Sequence, residues 1–140
     1  MASSLFIIIV GCGRLGSFLA NRLSSAGHSV VVVDHRPEAF DKLSSEFSGF
    51  RVEGDAAELA VLKQAKAEKA DLLIATTRDD NVNLMVAQAA KVEFNVSRVL
   101  ARVFEPRREA VYRRLGVETV CPTTVAADLF LKSVLAENAL

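Results

Sequence analysis

The stretch Ile7 to Arg36, IIIVGCGRLGSFLANRLSSAGHSVVVVDHR, decides how the rest of the chain reads. It opens with a β-branched apolar run, turns through Gly11-Cys12-Gly13-Arg14-Leu15-Gly16, continues with helical spacing and returns to a second β-branched run that closes on Asp34. A strand, a glycine turn, a helix and a strand ending in an acid make the signature of a nucleotide-binding βαβ unit. Gly11 permits the tight turn, Gly13 lets the backbone approach a phosphate, and Gly16 lets helix and strand pack closely. The helix start offers unpaired N–H groups and a positive dipole to phosphate oxygens. Asp34 accepts hydrogen bonds from a ribose and repels a 2′-phosphate. Glycines alone would be a weak signal; with the acid at this spacing they point to an adenine nucleotide site.

The same alternation continues to the end of the chain. Strands are predicted at Phe6–Val10, Ser29–Asp34, Phe50–Glu53, Leu72–Ala75, Arg98–Arg102 and Glu118–Val120. Helices are predicted near Arg14–Ala26, Pro37–Phe47, Glu58–Ala65, Asp80–Glu93 and Pro106–Leu115, with a last one over Thr123–Leu140. This is the α/β pattern of a Rossmann-like, doubly wound parallel sheet of about six strands, and continuously apolar strands predict a sheet covered on both faces. Residues 1–122 form the nucleotide-binding domain, and 123–140 a C-terminal crossover or dimerisation helix. In the fourth helix Val82, Met85, Val86, Ala89 and Ala90 recur at helical spacing as the buried stripe. In the last helix Val125, Ala126, Leu129, Phe130, Val134 and Leu135 make an apolar side that follows a completed sheet, so a partner surface is expected.

Ligands of such sheets sit at the carboxyl ends of the strands. Asp55, next to Ala56, follows the third strand, and Thr76, next to Thr77, the fourth; Asp55 and Thr76 are placed to line the adenosine side and serve equally well as helix caps, and Ala56 and Thr77 are candidates beside them. Asp79 and Asp80 read as caps. Arg14 either reaches a terminal phosphate or faces solvent. His35, with Arg36 directly past Asp34, is a candidate by position and otherwise a loop residue.

Composition narrows the function classes. Of 140 residues, 17 are basic and 17 acidic, so no global charge draws the chain to nucleic acid or an anionic membrane. The arginines between Arg98 and Arg114 interleave only with Phe104 and Tyr112, too few aromatics for a nucleic-acid platform. Two cysteines, Cys12 and Cys121, make neither a disulfide framework nor a metal spacing, and a reducing cytoplasm is the expected home. The apolar start Leu5 to Val10 is too short to span a bilayer and reads as a strand. A nicotinamide dehydrogenase needs a proton donor beside the hydride site and a region that holds substrate. His28 and His35 lie in loops, Tyr112 has no lysine one turn on, and Cys12 is a weak candidate thiol. No catalytic or metal-ligating residue is assigned, which argues for sensing; the rival reading is a small NAD(H)-dependent oxidoreductase or NADH redox sensor.

Taken together, the glycine motif, Asp34, Gly54-Asp55-Ala56, Thr76 to Asn81, Ala101-Arg102 and Gly116 make the sequence resemble the RCK or KTN (TrkA-N-like) nucleotide-binding domain of Trk and Ktr potassium uptake systems. The resemblance implies a cytoplasmic subunit, peripheral at the inner face of the membrane through a potassium-translocating partner. It implies homo- or hetero-oligomeric rings, commonly octameric, whose shape responds to ATP, ADP or AMP, with NAD(H) as the alternative. By the resemblance Gly11, Gly13 and Gly16 match the phosphate turn, Asp34 the ribose contact, and Asp55, Ala56 and Thr76 the adenosine surround. Arg14 takes the place of a phosphate-binding arginine, and Arg102 lies near the phosphates or at a subunit contact. Members usually continue into a smaller C-terminal regulatory lobe. The sequence is therefore expected either to be part of a longer polypeptide or to be a short subunit whose lobe a separate polypeptide supplies.

Overall fold

The computed structural model describes residues 3–138. In chain order it contains β1 (Phe6–Val10), α1 (Arg14–Ser25), β2 (Ser29–Asp34), a 3-10 helix (Pro37–Lys42), β3 (Phe50–Glu53), α2 (Leu59–Gln64), a 3-10 turn (Ala67–Lys69), β4 (Leu72–Ala75), α3 (Asp80–Phe94), β5 (Arg98–Arg102), a 3-10 turn (Pro106–Arg108), α4 (Glu109–Arg114), β6 (Glu118–Val120) and α5 (Pro122–Asn138). The strands form one sheet in the order β3-β2-β1-β4-β5-β6, and every pairing is parallel. Winding proceeds outward from β1 to β3, crosses back to β4 and proceeds outward the other way. The sheet is therefore Rossmann-like and doubly wound, with its switch point between β1 and β4.

Successive residues of a strand point to opposite faces, and the core divides accordingly. Ile8, Val10, Val31, Val33, Leu73 and Ala75 pack with Val61 and Leu62 of α2 and Val86, Ala87 and Ala90 of α3. Ile7, Ile9, Val30 and Val32 pack on the other face with Ala20 of α1 and with Ala39, Leu43 and Phe47. Each strand of the β1–β2 pair is apolar at consecutive positions because both of its faces are covered.

Coverage is less complete than the apolar pattern predicts. Leu72, Ile74 and Leu100 are only partly buried, because the right-handed crossovers from β4 onward place α3 and α4 on the opposite face. α5 does not lie over them: Val125 is 50 %, Leu129 61 % and Phe130 73 % exposed, as the apolar run after a completed sheet predicts.

Other boundaries depart from expectation for local reasons. The helix predicted over Pro37–Phe47 is a 3-10 segment that stops at Lys42. Ser44 donates its amide to Asn21 Oδ1 at 2.9 Å and accepts the Glu46 amide on its hydroxyl at 3.1 Å, and these side-chain bonds replace helical ones. Pro106–Leu115 is split into a 3-10 turn and α4. The predicted last helix begins one residue earlier, at Pro122, and its end past Asn138 lies outside the described residues. Met85, predicted to be core, is 46 % exposed; the buried side of α3 runs through Asn83, Val86, Ala87 and Ala90.

Candidate functional site

The glycine turn is held from two sides. Gly11 takes φ +98°, a conformation that L side chains rarely adopt, and donates its amide to Val33 O at 2.8 Å. Thr76 anchors the end of β4 against it, with Oγ1 donating to Val10 O at 3.0 Å and Gly11 O at 3.1 Å. A Cβ on Gly16 would overlap the Gly11 carbonyl oxygen, so close packing of α1 on the turn requires glycine there. A Cβ on Gly13 would meet no protein atom within 4 Å. Gly13 therefore leaves open space beside the backbone. α1 has Gly13 as its N-cap, with no side-chain cap bond and no first-turn acid, which leaves its terminal N–H groups and positive dipole to the cleft.

Asp34, 8 % exposed, stands opposite. Its Oδ2 accepts the Cys12 amide at 2.8 Å and its Oδ1 the Arg36 amide at 2.9 Å. Each oxygen keeps further acceptor capacity, enough for a pair of ribose hydroxyls. His35 Nδ1 and Arg36 Nε lie 3.7 and 3.9 Å from Oδ1, both on largely exposed side chains, so these pairs add little stability.

Between these elements lies a cleft of about 840 Å³ along the carboxyl ends of the strands. Gly11, Gly13, Arg14, Asp34, His35, Arg36, Ala56, Thr76, Thr77 and Arg102, all singled out from the sequence, line it. Four others do not. Cys12 is fully buried and contributes its amide to Asp34, while its thiol is pushed up by burial and then by the Asp34 charge. Leu15 is partly buried, and Gly16 serves packing. The Asp55 carboxylate accepts the Ala57 amide at 2.9 Å within a turn, three residues before the α2 N-cap Glu58, so it is not the helix cap that the sequence also allowed. The far wall adds Arg78, Asp79, Val82 and Phe104. Their signal was position alone, since each lies at or near the carboxyl end of β4 or β5.

That wall is organised by two buried polar groups, Asn83, which sequence reasoning did not assign, and Asp80, which it read as a cap. Asn83, fully buried, accepts the Thr77 amide and hydroxyl on Oδ1 at 2.9 and 2.6 Å and donates Nδ2 to Thr77 O and Arg102 O, both at 3.0 Å. Asp79 caps α3 as expected, accepting the Asn81 and Val82 amides. Asp80 does not cap it. Its buried carboxylate instead accepts the Phe104 amide at 2.8 Å and the Glu105 amide at 3.3 Å and pairs with Arg108, which fixes the chain after β5. Arg102 Nη2 donates to Thr76 O and Thr77 O at 2.6 and 2.9 Å, and its Cζ lies 4.6 Å from the centre of the Phe104 ring. Burial, then the nearby Arg78 charge, lowers the Arg102 pKa against an opposing pull from Asp80.

The family model described as the TrkA-N domain matches residues 7–123, from β1 into the start of α5. The chain belongs to the TrkA-N domain family. Relatives within it include the Trk system potassium uptake protein TrkA of Streptomyces coelicolor, 41 % identical over 133 residues that make up 95 % of this chain and 60 % of that protein. The protein of the same name from Mycobacterium tuberculosis H37Rv is 34 % identical over 118 residues, covering 84 % and 53 %. The TrkA-N chain thus spans little more than half the length of these relatives. Among solved structures, the TrkA-N domain of the inner membrane protein ybaL from Escherichia coli superposes with a TM-score of 0.82 at 23 % identity, covering 94 % of this chain and 98 % of that one, a likeness of fold. The Kef C-terminal domain of Shewanella denitrificans in its AMP-bound form gives 0.77 at 28 % identity, with 96 % and 87 % covered. The GsuK channel bound to NAD gives 0.70 at 26 % identity, with 86 % and 22 % covered.

Proposed function

We propose that this chain is the nucleotide-binding part of a cytoplasmic regulatory subunit of a potassium uptake system, in which an adenine nucleotide in the cleft biases transport through a membrane partner. The observation that carries the reading is the uncapped start of α1 facing a cleft whose β2 side ends in the oriented carboxylate of Asp34. Phosphate at the helix start and ribose on the acid satisfy both groups at once. Relatives named for potassium uptake supply the physiological setting, and neighbours described with AMP and NAD supply the ligand class.

In this reading Gly11 and Gly13 border the phosphates, Asp34 binds ribose, and Ala56 lines the adenosine end. Arg14, exposed at the first position of α1, favours ATP, ADP or AMP over NAD(H). The site senses and does not catalyse. Transport responds only if the nucleotide binds two arrangements of the assembly with different affinity. Oligomerisation through residues 123–140, with the exposed apolar residues of α5 seated on a neighbouring subunit, provides such arrangements in a ring of homologous subunits.

Calorimetric titration with ATP, ADP, AMP, NAD⁺ and NADH tests the ligand. Saturable binding of an adenine nucleotide, weakened by Asp34→Ala, supports the proposal. Absence of binding by all five overturns it, and consumption of NADH with a carbonyl substrate returns the chain to the oxidoreductases.

A further inference from the structure

A second hollow opens at the opposite end of the sheet. It holds about 740 Å³ along the amino ends of β1, β2 and β3, beside the C-terminal end of α2, and shares no lining residue with the cleft at the carboxyl ends. Val31, Val52 and Ala65, all buried, and the half-buried Phe6 supply apolar surface, and Phe50 stands beside them at 74 % exposure. A concave, largely apolar surface of this size with a few charged groups at its border has the make-up of a small-molecule site.

The charges at that border are of one sign. Arg51, Lys66 and Lys69 line the hollow, and no aspartate or glutamate does. Among the described residues none of the three enters an ion pair. Arg51 lies over the Phe47 ring, 5.3 Å from its centre, which leaves Lys66 and Lys69 to an incoming anion.

Lys66 is held there by an unfavourable backbone. It follows α2 with φ +67° and ψ +40°, the left-handed conformation in which glycine ends a helix without cost. The one other non-glycine residue with positive φ among the described residues is Asn95, of a type that tolerates it. Complementing the helix dipole does not require Lys66, because Lys63 already occupies the last turn of α2. The chain thus keeps a cation where its backbone favours glycine.

We propose that this hollow binds an aromatic phosphate monoester, with the ring against Phe50 and the apolar floor and the phosphate on Lys66 and Lys69. A neutral ring leaves both lysines unengaged, and a bare phosphate gains little from exposed lysines and leaves Phe50 in water. The site is independent of the nucleotide reading of the cleft.

Titration of the isotope-labelled full chain with naphthyl phosphate, followed by amide NMR shifts, tests the assignment. Saturable shifts are expected at Gly27–Val31, Gly49–Val52 and Gln64–Lys69, with inorganic phosphate and naphthol each binding at least about tenfold more weakly. Phe50→Ala lowers the affinity about fivefold, and Lys66→Gly and Lys69→Gln about threefold each. Glycine adopts the backbone of residue 66 freely, so Lys66→Gly removes the amine without disturbing the turn. Lys132→Gln, which removes an exposed cation on α5, leaves the affinity unchanged. Shifts confined to the cleft or to α5 overturn the proposal. So does unaltered affinity in Lys66→Gly or Phe50→Ala, or naphthol binding as tightly as its phosphate ester. Each of these outcomes leaves the nucleotide reading standing, because the two sites share no residue.

Discussion

The Asp34 carboxylate receives the Cys12 amide at 2.8 Å and so ties the end of β2 to the glycine turn after β1. The acid proposed to bind ribose also maintains the turn proposed to bind phosphate. Asp34→Ala strands the Cys12 and Arg36 amides, and urea unfolding should report a loss of about 1–3 kcal/mol together with weakened nucleotide binding. Asp34→Asn keeps an acceptor oxygen and should recover part of the stability while binding remains weak. An Asp34→Ala variant as stable as the parent would refute the structural role.

Gly13 and Gly16 separate binding from folding. Open space around Gly13 predicts that Gly13→Ala stays within about 1 kcal/mol of the parent in urea titrations, the scale of an altered helix cap, yet loses nucleotide affinity as its methyl group enters the phosphate path. Gly16→Ala drives a methyl into the Gly11 carbonyl and should cost about 3 kcal/mol. Equal loss of stability in both variants would mean that Gly13 is also a packing residue.

Asn83 makes four hydrogen bonds from a fully buried amide. Asn83→Ala should lower stability by about 3 kcal/mol, since the Thr77 amide loses its acceptor in a dry site. Asn83→Asp turns an oxygen toward the Thr77 and Arg102 carbonyls, which disfavours its ionised form. The folded-state pKa of that aspartate is then raised, so the variant should be more stable near pH 4 than near pH 7 by chemical denaturation. A flat profile would place the amide elsewhere.

Cys12 supplies a pH dependence in the native chain. Burial and Asp34 raise its folded-state pKa, so its contribution is complete below the unfolded thiol value of about 8.5 and is lost as pH rises above it. Tyr112, raised by burial and by Asp80, acts in the same direction above about pH 10. Unfolding free energy should decline from about pH 8.5, and Cys12→Ala should flatten the first part of that decline. Retention of the full decline in the variant would assign it to other groups.

The strands were legible because β-branched runs between turn residues have few other uses, and all six begin and end where the sequence places them. The helical side was read less well where polar side chains decide. Ser44 ended a predicted helix by engaging Asn21 and Glu46, and Asn83, a polar residue that hydrophobic spacing passes over, shares the buried side of α3 while Met85 is left half exposed. Near the cleft, Arg78 was read only as part of the Thr76 to Asn81 segment, and Phe104 carries no motif. Their place on the wall depends on β4 lying next to β5, and on Asp80, 24 residues before Phe104, holding the chain after β5. Such relations across the fold leave no local pattern.

Parallel pairing has a consequence for how the chain acquires its site. No strand pair can close as a hairpin, and the central one joins Ile7 to Leu72, so the seam between β1 and β4 forms only after the intervening helices and strands have been threaded. Contacts so distant along the chain slow the search for the native state. A nascent chain that has just left the ribosome with its glycine motif complete still lacks both Thr76 and Arg102. The cleft is therefore complete only late in synthesis, after the fifth strand has docked.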